Sequence, residues 1–129
     1  MNKTVAIFGL ISITLVAICQ SKDNIQMSIP NYRENDTIKL DDLLSRNYIF
    51  LCNKNYPVLS FVLGYKYGNN DYMMISKSNS LTEDMKNRLY KFKSMKVSYL
   101  NISFKAITVR TTQMEEIKTG PIKYILEIK

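Results

Sequence analysis

The feature that most constrains this chain is a strict two-residue alternation between Pro57 and Tyr67. Leu59, Phe61, Leu63, Tyr65 and Tyr67 fall on one side, and Val58, Ser60, Val62, Gly64 and Lys66 on the other. Successive side chains of an extended chain point to opposite faces, so the pattern specifies a strand with one bulky face turned inward. Gly68-Asn69-Asn70-Asp71 supplies residues that tolerate positive φ, and Tyr72-Met73-Met74-Ile75 returns as the next strand. The two pair as a hairpin.

Further strands follow from the same signals. Gln26-Met27-Ser28-Ile29 reads as a short edge strand and Tyr48 to Cys52 as a buried one. Met95 to Ile102 and Phe104 to Thr111 are two more, rich in Val, Ile, Tyr and Thr, and Ile122 to Ile128 closes the chain after the Gly120-Pro121 break. Thr37-Ile38-Lys39-Leu40 leads into Asp41 to Ser45, which can make a single helical turn. One longer helix is predicted over residues 81–91. Ser80 caps it with Glu83 as the return half of a capping box, and Leu81, Met85, Leu89 and Phe92 share one stripe. About six strands and one inserted helix describe a mainly β sandwich. Hydrophobic residues at 46% and charged residues at 22% suit a globular core.

The N-terminus reads as an export signal. Met1-Asn2-Lys3-Thr4 gives a positive start, and the apolar run Val5 to Ile18 matches a signal core while falling short of a bilayer-spanning helix. Cleavage fits after Cys19 or after Ser21. Val16-Ala17-Ile18-Cys19 also resembles a lipoprotein box in which Cys19 would be acylated. Residues 1–21 are thus assigned to the signal, 22–36 to a polar leader arm, and 37–129 to one domain. Localisation in the periplasm or at the cell surface follows, either soluble or lipid-anchored.

Several chemistries are excluded by residue type. The chain has no histidine, so Ser-His-Asp and Cys-His catalysis and histidine metal sites are out of reach. Its two cysteines are Cys19 and Cys52. With Cys19 at the signal junction they make neither a zinc site nor an internal disulfide framework, and Cys52 reads as a small buried hydrophobe. The four glycines form no phosphate-binding pattern. Asp41-Asp42, Glu83-Asp84 and Glu115-Glu116 are paired carboxylates, but neighbours on a strand point apart and the helix pair suits the helix dipole. No catalytic residue, cofactor, metal or small-molecule substrate is expected, and the chain is read as a non-enzyme.

The formal charge is +7, with no acidic residue between Met85 and Met114. That stretch holds Lys86, Arg88, Lys91, Lys93, Lys96, Lys105 and Arg110. Export argues against nucleic acid as the partner, which leaves an acidic protein, an anionic membrane surface or a solvated surface. Lys91, Lys93 and Lys96 are the candidate partner contacts.

Thr37-Ile38-Lys39-Leu40-Asp41-Asp42-Leu43-Leu44 followed by Tyr56-Pro57-Val58-Leu59-Ser60-Phe61-Val62-Leu63 resembles the C-terminal domain family of the gliding-motility protein GldM. Val58, Ser60 and Phe61 occupy the positions of that family's "V-x-S-F" core. The Leu81 to Lys86 helix, the Val97 to Ile102 strand and the Ile-rich last strand follow in the family's order. Met95 stands where the family has a Gly, and the family's Asp-Gly turn is absent around Gln113-Met114. The resemblance covers Thr37 to Lys129. It implies an immunoglobulin-like β-sandwich in the envelope of a gliding or type IX secreting bacterium of the Bacteroidota, whose domains bind one another and neighbouring envelope proteins. The resulting expectation is an exported non-catalytic interaction module whose partner is another envelope protein or itself. The alternative is a secreted inhibitor or effector that enters the cleft of another protein with a protruding, non-repetitive loop, for which Arg110 to Gly120 is the candidate.

Overall fold

The computed structural model describes residues 24–129. The signal, its cleavage sites and Cys19 lie outside these residues. In chain order the elements are β1 (Met27–Ser28), β2 (Thr37–Lys39), α1 (Leu40–Leu44), β3 (Leu51–Cys52), β4 (Val58–Tyr67), β5 (Asn70–Ser76), α2 (Glu83–Lys91), β6 (Tyr99–Arg110), β7 (Glu116–Thr119) and β8 (Ile122–Glu127). The domain is mainly β with one short inserted helix, as the periodicities imply.

Six strands make one mixed sheet in the order β2-β8-β6-β4-β5, with β7 beside the far half of β6. All pairings in it are antiparallel except the parallel contact of β2 with β8. The hairpin β4–β5 closes Tyr67 onto Asn70. Its turn places Gly68 at φ 63°, the conformation that a two-residue hairpin asks of its first central residue.

Alternation then sorts the two faces of the sheet. Phe61, Leu63 and Tyr65 of β4, Leu100, Ile102 and Phe104 of β6, and Ile122, Tyr124 and Leu126 of β8 all enter the core. A second layer covers this face: the ribbon β1–β3, the turn α1 through Leu40 and Leu43, and α2 through Met85 and Leu89. The arrangement is sandwich-like, but the second layer holds only two strands and helices complete it. Three rings fasten the layers edge to face. Phe50 lies 5.3 Å from Phe61 and 5.0 Å from Phe104, which are themselves 5.6 Å apart. Each such pair adds about 0.5–1.5 kcal/mol to its burial.

Four local readings need correction. Only Leu51–Cys52 of the Tyr48 to Cys52 segment is a strand. The preceding backbone is satisfied by one side chain instead: Asn79 accepts from the Phe50 N–H and donates to the Phe50 carbonyl, both at 2.9 Å. The helix cap falls two residues after the expected one. Ser80 donates its hydroxyl to the Asn47 carbonyl, and Thr82 takes the cap by accepting from the Met85 N–H at 3.1 Å. The strands expected either side of Ser103 are one strand of 12 residues, which starts later because Phe92–Ser94 prolongs α2 as a 3-10 turn. It absorbs its irregularity at Ala106, φ 48°, where its register with β4 shifts. Finally, residues 110–120 are only partly loop: a turn at residues 111–115 leads into β7. Glu116 to Thr119 pair with Ile107 to Arg110, and Arg110 lies 3.7 Å from Glu116.

The described part of the leader arm is held on the domain. Ile25 and Ile29 are buried, Ile29 completely. Cys52 is a free, buried cysteine that packs with Ile25 and Val109 in a second small cluster.

Candidate functional site

The opposite face of the sheet has no second layer among the described residues. Register defines what it displays. Ile75 lies beside Val62, and Val62 beside Lys105. Met73 lies beside Gly64, then Ser103, then Lys123. Asn101 and Ile125 form the next row with Thr37, and Tyr99 and Glu127 the last with Lys39. Met73 and Ile75 are each 65% exposed and Tyr99 60%, high values for large apolar side chains in regular strands.

At the centre of this face the backbone is bare. Gly64 has no side chain, and a Cβ built there would sit 3.2 Å from the Ser103 hydroxyl and 3.8 Å from the Lys105 Cε. The result is a hollow of about 580 Å³ floored by Gly64 and rimmed by Lys66, Lys105, Lys123, Asn101, Ser103 and Met73. All three lysines are exposed, and none forms an ion pair with the described residues. Asp71 stands opposite Lys66 in the hairpin register and is the one acid that lines the hollow, while Glu127 lies at the far row.

The edge of the sheet adjoins this hollow. β5 is the outermost strand, so the backbone groups on its far side have no strand partner among the described residues. From Tyr72 to Ser76 it carries neither charge nor proline, the usual means of blunting an edge.

The lysines expected as contacts divide between two hollows. Lys91 ends α2 and lines a different hollow, beside Arg88, Tyr90, Phe92, Tyr67 and Tyr72. Lys93 is engaged within the chain: its ammonium lies 2.6 Å from the Asp41 carboxylate and 5.3 Å from the centre of the Tyr90 ring. The hydrogen bond to Asp41 raises its pKa above the ordinary lysine value. Lys96 lines the same hollow as Lys93 and Asp41, so two of the three come together there while Lys91 faces elsewhere.

The paired carboxylates have structural duties. Asp42 accepts hydrogen bonds from the Tyr32 hydroxyl and, at 3.2 Å, from Arg46. The Tyr32 bond, then Arg46, holds the Asp42 carboxyl below its ordinary pKa, and the same bond raises that of Tyr32. Asp84 pairs with Arg88 at 3.2 Å within α2. No group of three or more metal-ligating side chains forms among the described residues.

Lys66, Lys105 and Lys123 lie far apart in sequence, and only strand order brings them together. The one signal in the sequence is parity, since Gly64 and Lys66 share the side of β4 opposite Phe61.

Comparison with known proteins adds one partial similarity. No family model and no solved structure matches the chain. A stretch of 91 residues, 69% of the chain, is 33% identical to an aminomethyltransferase of Caldanaerobacter subterraneus subsp. tengcongensis. The match spans 24% of that protein, so the chain corresponds to about a quarter of its length.

Proposed function

We propose that this chain is an exported, non-catalytic protein-interaction module of a bacterial envelope, of the kind the GldM C-terminal domain resemblance implies. Its partner meets the uncovered face of the sheet and the β5 edge. One observation carries this reading: Met73 and Ile75 project into solvent from the uncharged Tyr72 to Ser76 stretch of an edge strand whose outer backbone has no strand partner among the described residues. Apolar side chains supply burial, and the free backbone supplies directional hydrogen bonds to an added extended segment. The alternative of an inhibitor that plugs a cleft needs a protruding, non-repetitive loop at Arg110 to Gly120; Glu116 to Thr119 of that stretch pair with β6, which favours the sheet face as the contact. The aminomethyltransferase similarity covers too small a part of that protein to carry its reaction here.

The test is a photo-crosslinking residue placed at Ile75, with Lys54 as an exposed control position, in the native cell. A discrete adduct in the envelope fraction from position 75 and none from position 54 is expected. The same adducts from both positions, or none from either, would overturn the proposal.

A further inference from the structure

We infer that the hollow over Gly64 is a receptor for a carboxylate side chain of the partner, so that the bound segment is acidic as well as apolar. This rests on the interaction-module reading and specifies the chemistry of its partner.

Three features converge on an anion. Lys66, Lys105 and Lys123 come from three adjacent strands to one rim, outnumber the single acid there, Asp71, and lie within ion-pair distance of no carboxylate among the described residues. Gly64 removes the side chain that would fill the floor, and the Ser103 hydroxyl beside it can donate to an oxygen there. Asn101 offers amide hydrogens at the same rim. A carboxylate seated there would be partly desolvated by its own backbone, which strengthens charge-assisted hydrogen bonds over those on an open surface.

Charge selects among the occupants. A second copy meeting this one face to face would set lysine against lysine on a chain of formal charge +7, so self-docking through this face is opposed. A bilayer presents its charges in a plane, whereas these lysines surround a recess and the exposed apolar side chains Met73 and Ile75 stand to one side of it. A protein segment satisfies both. An extended chain places alternate side chains on one face, so it can lower a glutamate or aspartate into the recess while a neighbouring apolar residue covers Met73.

The experiment uses protein purified from the full-length gene. The probes are a short fluorescein-labelled peptide that alternates glutamate with valine, its glutamine-for-glutamate twin, and vesicles of phosphatidylglycerol and phosphatidylcholine. The acidic peptide should bind saturably, more weakly as salt rises, with the twin about tenfold weaker. Lys105→Glu/Lys123→Glu should lose binding by about tenfold or more, because it reverses the rim charge without touching the core. Lys91→Glu/Lys96→Glu should bind as the wild type does. Gly64→Ala, which fills the floor, should weaken binding while leaving vesicle association unchanged. Equal binding of the twin, no effect of the Lys105/Lys123 reversal, or binding to vesicles but not to the peptide would each overturn the inference, the last in favour of lipid. An adduct at position 75 without peptide binding sinks only the acidic specificity. Peptide binding without that adduct sinks the module reading instead.

Discussion

Phe61 and Val62 are neighbours in one strand, as are Phe104 and Lys105 in the next, yet each pair divides between two environments. Phe61 and Phe104 are fully buried under Phe50, whereas Val62 and Lys105 lie side by side on the uncovered face. Alternation alone creates both faces, and what differs is the cover. On the inner side the chain supplies its own second layer from β1, β3, α1 and α2. On the outer side the described residues leave Met73, Ile75 and Tyr99 in water. A protein can retain one polar sheet face at no penalty, but this one alternates lysine with exposed Met and Ile, a composition suited to contact more than to solvation.

The largest test of this contrast is truncation on each face. Phe61→Ala removes a ring packed against two others and should destabilise the domain by about 3–5 kcal/mol in urea unfolding. Val62→Ala should cost less, about 1 kcal/mol, because its side chain keeps part of its surface in water. Similar losses at both positions would mean that the outer face is also a core, and the division between faces would fall.

The fastening of the cover is a smaller effect. Asp42 ties α1 to Tyr32 in the arm between β1 and β2, with Arg46 closing the group and stacking 5.4 Å from the Tyr32 ring centre. Asp42→Asn should cost about 1 kcal/mol at neutral pH, a charged hydrogen bond discounted for partial exposure. The pH dependence follows from direction. The Asp42 carboxyl is lowered from 3.8, so its contribution is present above that value and fades as pH falls through the lowered one. The Tyr32 hydroxyl is raised from 10.0, so the bond is intact below that value and is lost as pH rises through the raised one. Thermal melts should therefore show the gap between wild type and Asp42→Asn widest at neutral pH and narrowing at both extremes. A gap independent of pH would detach the cover from this hydrogen bond.

How much of this could be read beforehand differs between the faces in the same way. The inner face of β4 was legible because bulky residues at every second position leave one arrangement, and β5 and β8 followed from turn residues and alternation. The cover was less so. Phe50 reaches the core from a segment whose backbone is held by Asn79, a contact between residues far apart in sequence that no local propensity encodes. Ser80 and Thr82 both suit a helix cap, and the choice fell to Thr82 because Asn47 claims the Ser80 hydroxyl. The candidate site was the least legible. Lys91, Lys93 and Lys96 are close in sequence, yet Lys91 lines one hollow and Lys93 and Lys96 another, whereas Lys66, Lys105 and Lys123 are dispersed and converge through strand order. Linear density of charge does not report surface density once the chain is pleated and paired.

The smallest expected effect on stability is also the one that best separates a contact face from an unfinished core. Met73→Lys/Ile75→Lys replaces two exposed side chains on an edge strand with cations, removing little buried area and placing no charge in the interior. Surface changes of this kind stay within about 0.5 kcal/mol, so the melting temperature should scarcely move. Lysine at an edge also opposes the addition of a further strand. Partner capture in the native cell, read as the adduct formed from a crosslinker kept in β5 at position 71, should nevertheless be lost. A drop in stability equal to that of an inner-face truncation would mean that Met73 and Ile75 pack against the domain itself. Retained capture at unchanged stability would move the partner off this edge, leaving the hollow over Gly64 as the remaining ground for contact on the face.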